Sequence, residues 1–290
     1  MDCFASLAMT ERDGATRFPN ISHERPSVGF TSDLGYTLGR PANAKNQERN
    51  AVTTSASAPL PASVLEALAR YDTPTICNAM EIVAPERRLI GYTVKPLVCP
   101  FPTLPPIVGY ARTVAIRSVL KSGLSAEEQS KRRIDYYEYV GTGFGPRISV
   151  IQDIDGPDVG YGAFWGEVQS NVHKALGCLG VITDGSIRDI PQWAPGFQAL
   201  AGSIGPSHAW VHAESFGGEV RVAGMTVRSD DLIHADSHGA IVIPYDVAAK
   251  LPEAAELCGR RETPILEIAR SKDFSLEKLK EALKRSAEIH

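Results

Sequence analysis

Two stretches decide the fold of this chain, Arg147-Ile-Ser-Val-Ile-Gln-Asp-Ile154 and Gly180-Val-Ile-Thr-Asp-Gly185. Both are short runs rich in Val and Ile, which is typical of buried strands. The apolar residues of the intervening segment 167–177 recur at i, i+4, i+7 and i+8, and they are Val168, Val172, Ala175 and Leu176. This spacing predicts an amphipathic helix with a buried apolar face. A strand, a helix and a strand in this order predict a βαβ unit, whose right-handed crossover makes the strands parallel.

The predicted unit places several functional groups at one sheet edge, where α/β proteins usually bind ligands. The Gly-rich loop 156–166, the first turn of helix 167–177 and the pair Arg188-Asp189 all emerge there. Free amides at the helix start, with the positive end of the helix dipole, favour a carboxylate or phosphate. Arg188 could clamp the same anion, and Asp189 could hold a hard divalent cation. The alternative for this pair is a surface ion pair or a turn stabilised by the aspartate.

A dinucleotide-binding motif is excluded by its spacing. The run Gly160-Tyr-Gly-Ala-Phe-Trp-Gly166 resembles the Rossmann Gly-x-Gly-x-x-Gly motif, but its last glycine comes one residue late. A stretch containing Pro157 also separates this run from the preceding strand, whereas the Rossmann glycines lie directly against the strand.

Two pairs of histidines are candidate metal ligands. His208 and His212 lie four residues apart, which would place both on one face of a helix. The Ser, Trp and Val residues around them favour an extended segment instead. His234 and His238 flank a predicted turn. We therefore predict ordinary hydrogen-bonded histidines at these positions, with a metal site as the alternative.

The other predicted elements surround the βαβ unit. Helices are expected to begin at Pro61 and at Thr73, the second with Thr73 as its N-cap. A strand over 107–116 and a charged surface helix over 125–139 follow. The remaining pattern predicts four strands and then three helices, over 219–222, 225–227, 232–235, 240–244, 246–258, 262–270 and 275–288. The class is mixed α/β with a β-rich C-terminal half.

Composition limits the class of protein further. The chain has 290 residues, 43% of them hydrophobic, which excludes disorder over the whole length and indicates one or two domains. Residues 1–58 show no sustained period and predict a poorly ordered N-terminal extension before a domain over 59–290. The 30 Lys and Arg residues against 34 Asp and Glu residues give a net charge of -4. This charge excludes a general attraction to nucleic acid or to anionic membranes.

The expected location is the cytoplasm. No apolar run approaches the roughly 18 residues that a membrane span requires, and the N-terminus lacks the basic region of a signal peptide. The five cysteines form no Cys-x-x-Cys pair, so neither a disulfide framework nor a zinc knuckle is predicted. We expect ordinary buried thiols.

Several motifs, in this order along the chain, resemble the RraA-like family. They are Asp72-Thr-Pro-Thr-Ile-Cys-Asn-Ala79, Gly162-Ala-Phe-Trp-Gly-Glu167, Gly180-Val-Ile-Thr-Asp-Gly-Ser-Ile-Arg-Asp189, Gly224-Met-Thr-Val-Arg228 with Asp231-Leu-Ile-His-Ala-Asp236, and Gly239-Ala-Ile-Val-Ile-Pro244. The resemblance covers about residues 62–260. The family includes 4-hydroxy-4-methyl-2-oxoglutarate aldolase, with oxaloacetate decarboxylase activity, and the regulator of ribonuclease E activity. The resemblance to this family implies a layered α/β/β/α sandwich around a central βαβ unit.

The resemblance also implies roles for individual residues. In the aldolases of the family, the Arg of the Arg-Asp motif binds the pyruvoyl part of the substrate, and the Asp binds a divalent metal through a water-rich shell. These roles fall on Arg188 and Asp189, so both are candidate catalytic residues and Asp189 is the candidate ligand of Mg²⁺, or alternatively Mn²⁺. The expected substrate-binding residues are Gly166, Glu167, Val168, Gln169 and Arg188, with the amides of Val168 and Gln169 holding the substrate carboxylate.

The chain departs from the aldolase motif in two places. The motif has an acid three residues after the Asp, where this chain has Gln192. In the aldolase motif, twenty residues separate a glycine from the Arg. Counting back from Arg188, that position is Glu167, and the glycine of this chain is one position earlier, at Gly166. Replacing an acid by Gln removes a charge that could order metal-bound waters, which favours a weaker metal site or a different leaving fragment.

The leading hypothesis is a metal-dependent carbon–carbon lyase on a 2-oxo acid. It would cleave a 4-hydroxy-2-oxo acid by a retro-aldol reaction, or decarboxylate oxaloacetate, and release pyruvate. The metal near Asp189 would polarise the 2-keto oxygen, Arg188 would neutralise the developing enolate, and an ordered water would transfer the proton. The alternatives are a non-catalytic regulator that binds a protein partner and a lyase or hydratase acting on a sugar acid.

The resemblance further implies a homotrimer or homohexamer with the site at a subunit boundary. A compatible feature is an apolar stripe in the last helical segment, formed by Phe274, Leu276, Leu279 and Leu283. The alternative is that a single chain buries this stripe on its own sheet.

Overall fold

The computed structural model describes residues 58–290. The predicted extension over residues 1–58 lies outside the described residues except for Ala58, so the domain boundary there remains a prediction. The helices are α1 (Ala62–Leu68), α2 (Thr73–Val83), α3 (Ala126–Gly141), α4 (Glu167–Ala175), α5 (Tyr245–Ala248), α6 (Leu251–Ala269) and α7 (Leu276–Ala287).

Twelve strands lie between and beyond these helices in the described part of the chain. They are β1 (Ile107–Arg117), β2 (Arg147–Asp153), β3 (Ala163–Trp165), β4 (Cys178–Thr183), β5 (Ser186–Ile187), β6 (Gln198–Leu200), β7 (Ser203–Ile204), β8 (His212–Phe216), β9 (Val220–Val222), β10 (Met225–Val227), β11 (Leu232–Asp236) and β12 (Gly239–Ile243). The predicted α/β class with a β-rich C-terminal half is confirmed.

The main sheet has the strand order β12-β11-β1-β2-β4-β6, and β8 also pairs with β1. The strands from β1 to β6 in this order are parallel, whereas β8, β11 and β12 join antiparallel. β2 and β4 pair in parallel, and α4 connects them along the chain. The predicted βαβ unit is therefore confirmed.

Alternate residues of the main sheet enter different cores, as the two-residue period of strands requires. On β1, Tyr110 and Val114 face the helices, whereas Ala111 faces the opposite side. The helical side holds α1, α2, α5 and α6 near β12, and an aromatic cluster with Tyr136 of α3 near β6. The opposite side is covered by the hairpin β9–β10. These layers form an α/β sandwich.

The start of α2 corrects one predicted cap. Asp72, not Thr73, is the N-cap, and its carboxylate accepts a hydrogen bond from the Thr75 amide at 2.8 Å. The Thr73 hydroxyl cannot cap the helix because it bonds to Nδ1 of buried His234 at 3.0 Å. The hydrogen bond to His234 therefore uses the Thr73 hydroxyl, which the local sequence pattern assigned to the helix cap.

Segment 246–270 also differs from prediction. The expected helices 246–258 and 262–270 are replaced by the short α5 and by the continuous 19-residue α6, which contains Pro264. The helix passes through Gly259, where the sequence suggested a break, and the Thr263 hydroxyl donates to the Gly259 carbonyl at 2.8 Å. α6 packs against both α2 and α7, so tertiary packing outweighs the low helix propensity of Gly and Pro.

The cysteine prediction is only partly correct. The four cysteines among residues 58–290 are free thiols, but Cys178 alone is fully buried, and Cys77, Cys99 and Cys258 are partly exposed. None of the helices in residues 58–290 combines the length and the apolar character that crossing a bilayer would need.

Candidate functional site

A second, three-stranded sheet positions the candidate site. Its strands β3, β5 and β7 are parallel, and Trp165, Ile187 and Ile204 lie side by side at their ends. The next residues along the chain are Gly166, which is the N-cap of α4, and Arg188. Parallel strands end at one edge, so this sheet brings together residues that are distant in sequence. The prediction of a single Gly-rich loop over 156–166 is wrong, because the loop contains β3.

Asp189 has an unusual backbone conformation. Its φ of 54° and ψ of 35° lie in the left-handed region, which aspartate tolerates better than most non-glycine residues. The turn Ile190–Gln192 follows, and the Gln192 amide donates to the Asp189 carbonyl at 3.0 Å. Arg188 Nε lies 3.5 Å from Asp189 Oδ2, so the pair also forms the ion pair considered above. Both side chains remain partly exposed to solvent, at 35% and 40%.

Gly166 allows Asp189 to approach the start of α4. A Cβ built on Gly166 would lie 2.4 Å from Asp189 Oδ2 and 3.2 Å from Arg188 Cγ. The same Oδ2 accepts a long hydrogen bond of 3.4 Å from the Glu167 amide. The close packing that requires glycine thus occurs at Gly166, although the motif count points to Glu167, whose side chain is exposed.

The first turn of α4 keeps amides open for a ligand. Gly166 is its N-cap and contributes no capping side chain. The Ser170 amide donates to the Gly166 carbonyl at 3.0 Å, but the amides of Val168 and Gln169 have no acceptor within residues 58–290. Together with the helix dipole, these two donors form a place for an anion beside Arg188.

The predicted apolar face of α4 is only partly correct, because Leu176 packs against the core but the other predicted residues are not buried. Val168 is 49% exposed and Ala175 is exposed, whereas the buried residues of the helix are Ser170 and His173. A polar group is stable in a core when its hydrogen bonds are made, and both side chains meet this condition. Ser170 Oγ donates to the Glu167 carbonyl at 2.9 Å and accepts from the Ala194 amide at 3.1 Å.

His173 connects α4 to α3. Its Nδ1 lies 2.8 Å from the Gln169 carbonyl and its Nε2 lies 2.6 Å from the Tyr136 hydroxyl. Because a carbonyl only accepts, Nδ1 carries the proton, and Nε2 accepts from Tyr136. Burial lowers the pKa of His173 to about 4, so the ring is neutral at physiological pH. The Tyr137 hydroxyl of α3 also donates to Gln169 Oε1 at 3.2 Å.

An open concavity lies at the Arg188-Asp189 pair. Arg188 and Asp189 line it together with Ile190, Pro191, Ile204, Gly205 and Pro206. Its walls are therefore apolar and its charged groups lie together, as expected for a small ligand with an anionic end.

The donors at this site fit a metal ion with few protein ligands. Asp189 provides one partly exposed carboxylate, and Gln192 is exposed and carries no charge. No group of three or more His, Cys, Asp or Glu residues within 58–290 has the arrangement of a metal cluster. A hard cation such as Mg²⁺ binds one or two carboxylates and keeps several waters, so the single Asp189 is compatible with it.

The four histidines considered as metal ligands each bond within the chain. His208 Nδ1 lies 2.8 Å from the Ala209 carbonyl, and His212 Nδ1 lies 2.7 Å from the Trp210 carbonyl. His234 Nε2 donates to the Tyr71 carbonyl at 3.0 Å, and burial lowers its pKa. His238 Nδ1 lies 3.1 Å from Asp236 Oδ1.

Two aspartates that the sequence analysis did not assign to the site support the loop before it. Asp153 Oδ2 accepts from the Gly160 amide at 2.8 Å, and Asp184 Oδ1 accepts from the Asp153 amide at 2.8 Å. Burial raises the pKa of Asp184 to about 6. Their positions at the ends of β2 and β4 were the available signal, because polar residues there face the ligand edge of a parallel sheet.

The fold and the site define an α/β sandwich protein with an anion-binding helix terminus beside an Arg-Asp pair. Residues 73–242 match the family model described as RraA-like, Aldolase/RraA, which is more than half of the 290 residues. The chain belongs to the RraA-like family. No curated protein matches the sequence significantly.

Three solved structures show the same fold. A protein described as uncharacterized, from Pseudomonas syringae pv. tomato str. DC3000, has a TM-score of 0.57 and 19% identity, covering 78% of this chain and 98% of its own. RraAS2 from Streptomyces coelicolor is described as an unusual member of the RNase ES inhibitor RraA protein family. It has a TM-score of 0.56 and 20% identity, and the match covers 74% of this chain and 99% of RraAS2. A protein described as a novel cellulase from gut-associated microbes has a TM-score of 0.60 and 17% identity, and the match covers 72% of this chain and 90% of that protein.

Proposed function

We propose that this chain is a divalent-metal-dependent carbon–carbon lyase that acts on a small 2-oxo acid and releases pyruvate. The observation that carries the proposal is the convergence of Arg188, Asp189 and the open amides of Val168 and Gln169 at one sheet edge. The RraA-like family, which includes aldolases and decarboxylases as well as regulators, accommodates this activity.

The residues of the site divide the work between binding and charge stabilisation. The amides of Val168 and Gln169 would donate to the substrate carboxylate, which fixes the substrate at the helix terminus. Retro-aldol cleavage and decarboxylation both leave an electron pair that becomes the enolate of pyruvate. Arg188 would stabilise that negative charge, and because it is already in place no large reorganisation is needed.

Asp189 would hold the metal ion, Mg²⁺ or Mn²⁺. When bound, the ion would supply Lewis-acid polarisation of the 2-oxo group. The hydrogen bond from the Glu167 amide and the contact with Gly166 keep the Asp189 carboxylate at the start of α4, which is where the substrate carboxylate would bind. The open, apolar-walled concavity suits a short substrate rather than a polymer.

Pyruvate release from oxaloacetate and from 4-hydroxy-2-oxo acids, measured with millimolar Mg²⁺, tests the proposal. Asp189→Asn keeps the size of the side chain but removes its charge, and Arg188→Lys replaces a bidentate fork by a point charge. We expect each change to lower kcat/KM by about a hundredfold or more. The matched controls Asp246→Asn and Arg270→Lys alter exposed residues outside the site and should leave the rate unchanged.

The second candidate is a non-catalytic regulator that binds a protein partner. The fold similarity to RraAS2, described as a member of an RNase inhibitor family, favours it. Calorimetric titration with Mg²⁺ separates the two candidates. Binding that is lost in Asp189→Asn supports the lyase, whereas no binding at millimolar Mg²⁺, together with no pyruvate from any 2-oxo acid, supports the regulator.

A further inference from the structure

A second cavity lies on the hairpin side of the main sheet. Its volume is about 300 Å³, and it lies between segment 87–94, the β9–β10 hairpin and the edge strand β12. None of the residues that line it lines the concavity at Arg188 and Asp189. The two sites are therefore built from different parts of the chain.

Backbone hydrogen bonds hold the walls of this cavity together. The Val242 amide of β12 donates to the Gly91 carbonyl at 2.7 Å, and the Val94 amide donates to the Ala223 carbonyl of the hairpin turn at 2.9 Å. Segment 87–94 is thus bonded to both neighbours, to the sheet edge on one side and to the hairpin on the other. A preformed cavity binds a ligand without first having to order its walls.

Three arginines line the cavity. Arg87 comes from the turn after α2, Arg221 lies on β9 and Arg228 follows β10. Arg228 forms a salt bridge of 2.8 Å with Glu219, whereas Arg87 and Arg221 form no salt bridge within residues 58–290.

A buried carboxylate, that of Asp231, contributes negative charge to the wall of the cavity. Asp231 is 9% exposed and accepts from the Arg228 amide at 2.7 Å. Burial raises the pKa of Asp231, and the positive charges of Arg228 and Arg87 oppose this rise. Three arginines therefore face at most two negative charges, those of Asp231 and Glu219. The cavity carries net positive charge.

Leu89 and Val94 form the apolar rim of the cavity, and Gly91 leaves space in its wall. Leu89 and Val94 line the cavity and are 83% and 64% exposed, which is unusual for large apolar side chains. Gly91 has a φ of +91°, and a Cβ there would come within 3.0 Å of Arg87 Nη2. The glycine therefore leaves space for the Arg87 guanidinium to lie across the cavity wall.

We propose that this cavity binds a small organic phosphate monoester. Arg221 and Arg87 bind the phosphate, because a guanidinium presents paired donors that match phosphate oxygens. Leu89 and Val94 cover the organic part of the ligand. The volume of about 300 Å³ suits a small metabolite rather than a polymer.

Phenyl phosphate is the probe, and its binding to the full chain is measured by calorimetry. Arg221→Gln and Arg87→Gln should each lower its affinity about tenfold, since one hydrogen bond to a charged group is lost. Arg270→Gln, an exposed arginine that does not line the cavity, is the matched control. Arg188→Gln tests whether the phosphate occupies the candidate lyase site instead. Both Arg270→Gln and Arg188→Gln should bind within twofold of the unchanged chain.

A further variant tests the apolar rim. Leu89→Ser should weaken phenyl phosphate but leave inorganic phosphate unchanged, and the thermal unfolding of every variant is measured to confirm that it folds. The proposal is overturned if phenyl phosphate does not bind at millimolar concentration, if Arg188→Gln abolishes its binding, or if Arg221→Gln and Arg87→Gln both bind it normally. If Leu89→Ser lowers the affinity for phenyl phosphate and for inorganic phosphate equally, the role given to the apolar rim is wrong.

Discussion

At the scale of single residues, the candidate site depends on the contact between Gly166 and Asp189. The aspartate adopts a left-handed backbone conformation, and its Oδ2 lies where a Cβ on residue 166 would clash. Strained backbone at a ligand edge is retained only when the surroundings hold it, and here the Glu167 amide and Arg188 Nε both face the same oxygen. Arg188, Asp189, Val168 and Gln169 were named from sequence, but the contact at Gly166 follows only from the folded chain.

Gly166→Ala should therefore damage the site without unfolding the protein. The new Cβ would lie 2.4 Å from Asp189 Oδ2 and would push the carboxylate away from the helix terminus. We expect Mg²⁺ affinity and kcat/KM to fall by about tenfold or more, as for other displaced metal ligands. Gly218→Ala is the control, because a Cβ there meets no atom within 4 Å. Normal Mg²⁺ binding by Gly166→Ala would contradict the model of the site.

Asp184 should make the protein less stable as the pH rises. Burial raises its pKa from 3.8 to about 6, so the unfolded chain releases this proton at a lower pH than the folded protein does. The cost is absent below about pH 4, grows between about pH 4 and 6, and is complete above that window. Asp184→Asn keeps an acceptor for the Asp153 amide and should gain about 1 to 2 kcal/mol at pH 8 after allowance for solvent screening.

Urea unfolding at pH 4 and pH 8 measures this effect, with the exposed Asp246→Asn as the control. A stability difference between Asp184→Asn and the unchanged chain that does not vary with pH would rule out the assigned role of Asp184.

At the scale of elements, α4 is held by polar contacts on the face opposite to the one that the sequence assigned to apolar packing. Ser170 bonds to the Ala194 amide, and His173 bonds to Tyr136 of α3. Trp165 packs against the His173 ring at a centroid distance of 4.4 Å. The proposed anion site needs a helix terminus that is fixed in position, and directional hydrogen bonds fix a helix more specifically than apolar contacts do.

His173 should make the protein more stable as the pH rises. Its folded-state pKa of about 4 is lower than the ordinary 6.5, so the unfolded chain takes up this proton first as the pH falls. The stabilisation is complete above about pH 6.5 and is lost towards pH 4, by about 3 kcal/mol. This dependence has the opposite sign to that of Asp184 and falls in an overlapping window, so a variant is needed to isolate it.

His173→Gln lacks the titrating ring and should show a smaller loss of stability between pH 6.5 and 4, as measured by urea unfolding. Tyr136→Phe is the companion variant, because it removes the hydroxyl that Nε2 accepts from but keeps the histidine. The assignment fails if His173→Gln loses as much stability on acidification as the unchanged chain.

At the scale of the whole molecule, the described chain leaves apolar surface on its last helix. Of the predicted stripe, Phe274 just before α7 and Leu276 and Leu283 within it are 53%, 58% and 50% exposed, and Leu279 is partly exposed. Ala282 is the buried residue of α7. The chain therefore does not bury this stripe on its own sheet, which was the alternative to assembly. The candidate site offers one carboxylate, that of Asp189, to the proposed metal ion, and we expect acidic groups from a neighbouring copy to complete the metal's ligands.

We expect a ring of three or six chains of 31.3 kDa in solution. Leu283→Lys places a charge in the stripe and should shift the protein towards the single chain, with loss of activity, because a site shared between subunits is lost on dissociation. Light scattering at micromolar concentration measures the mass, and Glu281→Lys, an exposed residue on the same helix, is the control. A fully active 31.3 kDa monomer would exclude the shared site.

The sequence by itself determined the βαβ unit and singled out Arg188 and Asp189 as candidate site residues. These features depend on local periodicity and on the ends of helices and strands, which neighbouring residues control. Only the tertiary structure decided the sheet β3-β5-β7, the continuity of α6 and the inward face of α4. Strands of two or three residues carry no readable period, and their pairing joins segments about twenty residues apart. The face that a helix buries depends on which partner it meets, and no pattern within 167–177 specifies Tyr136 as that partner.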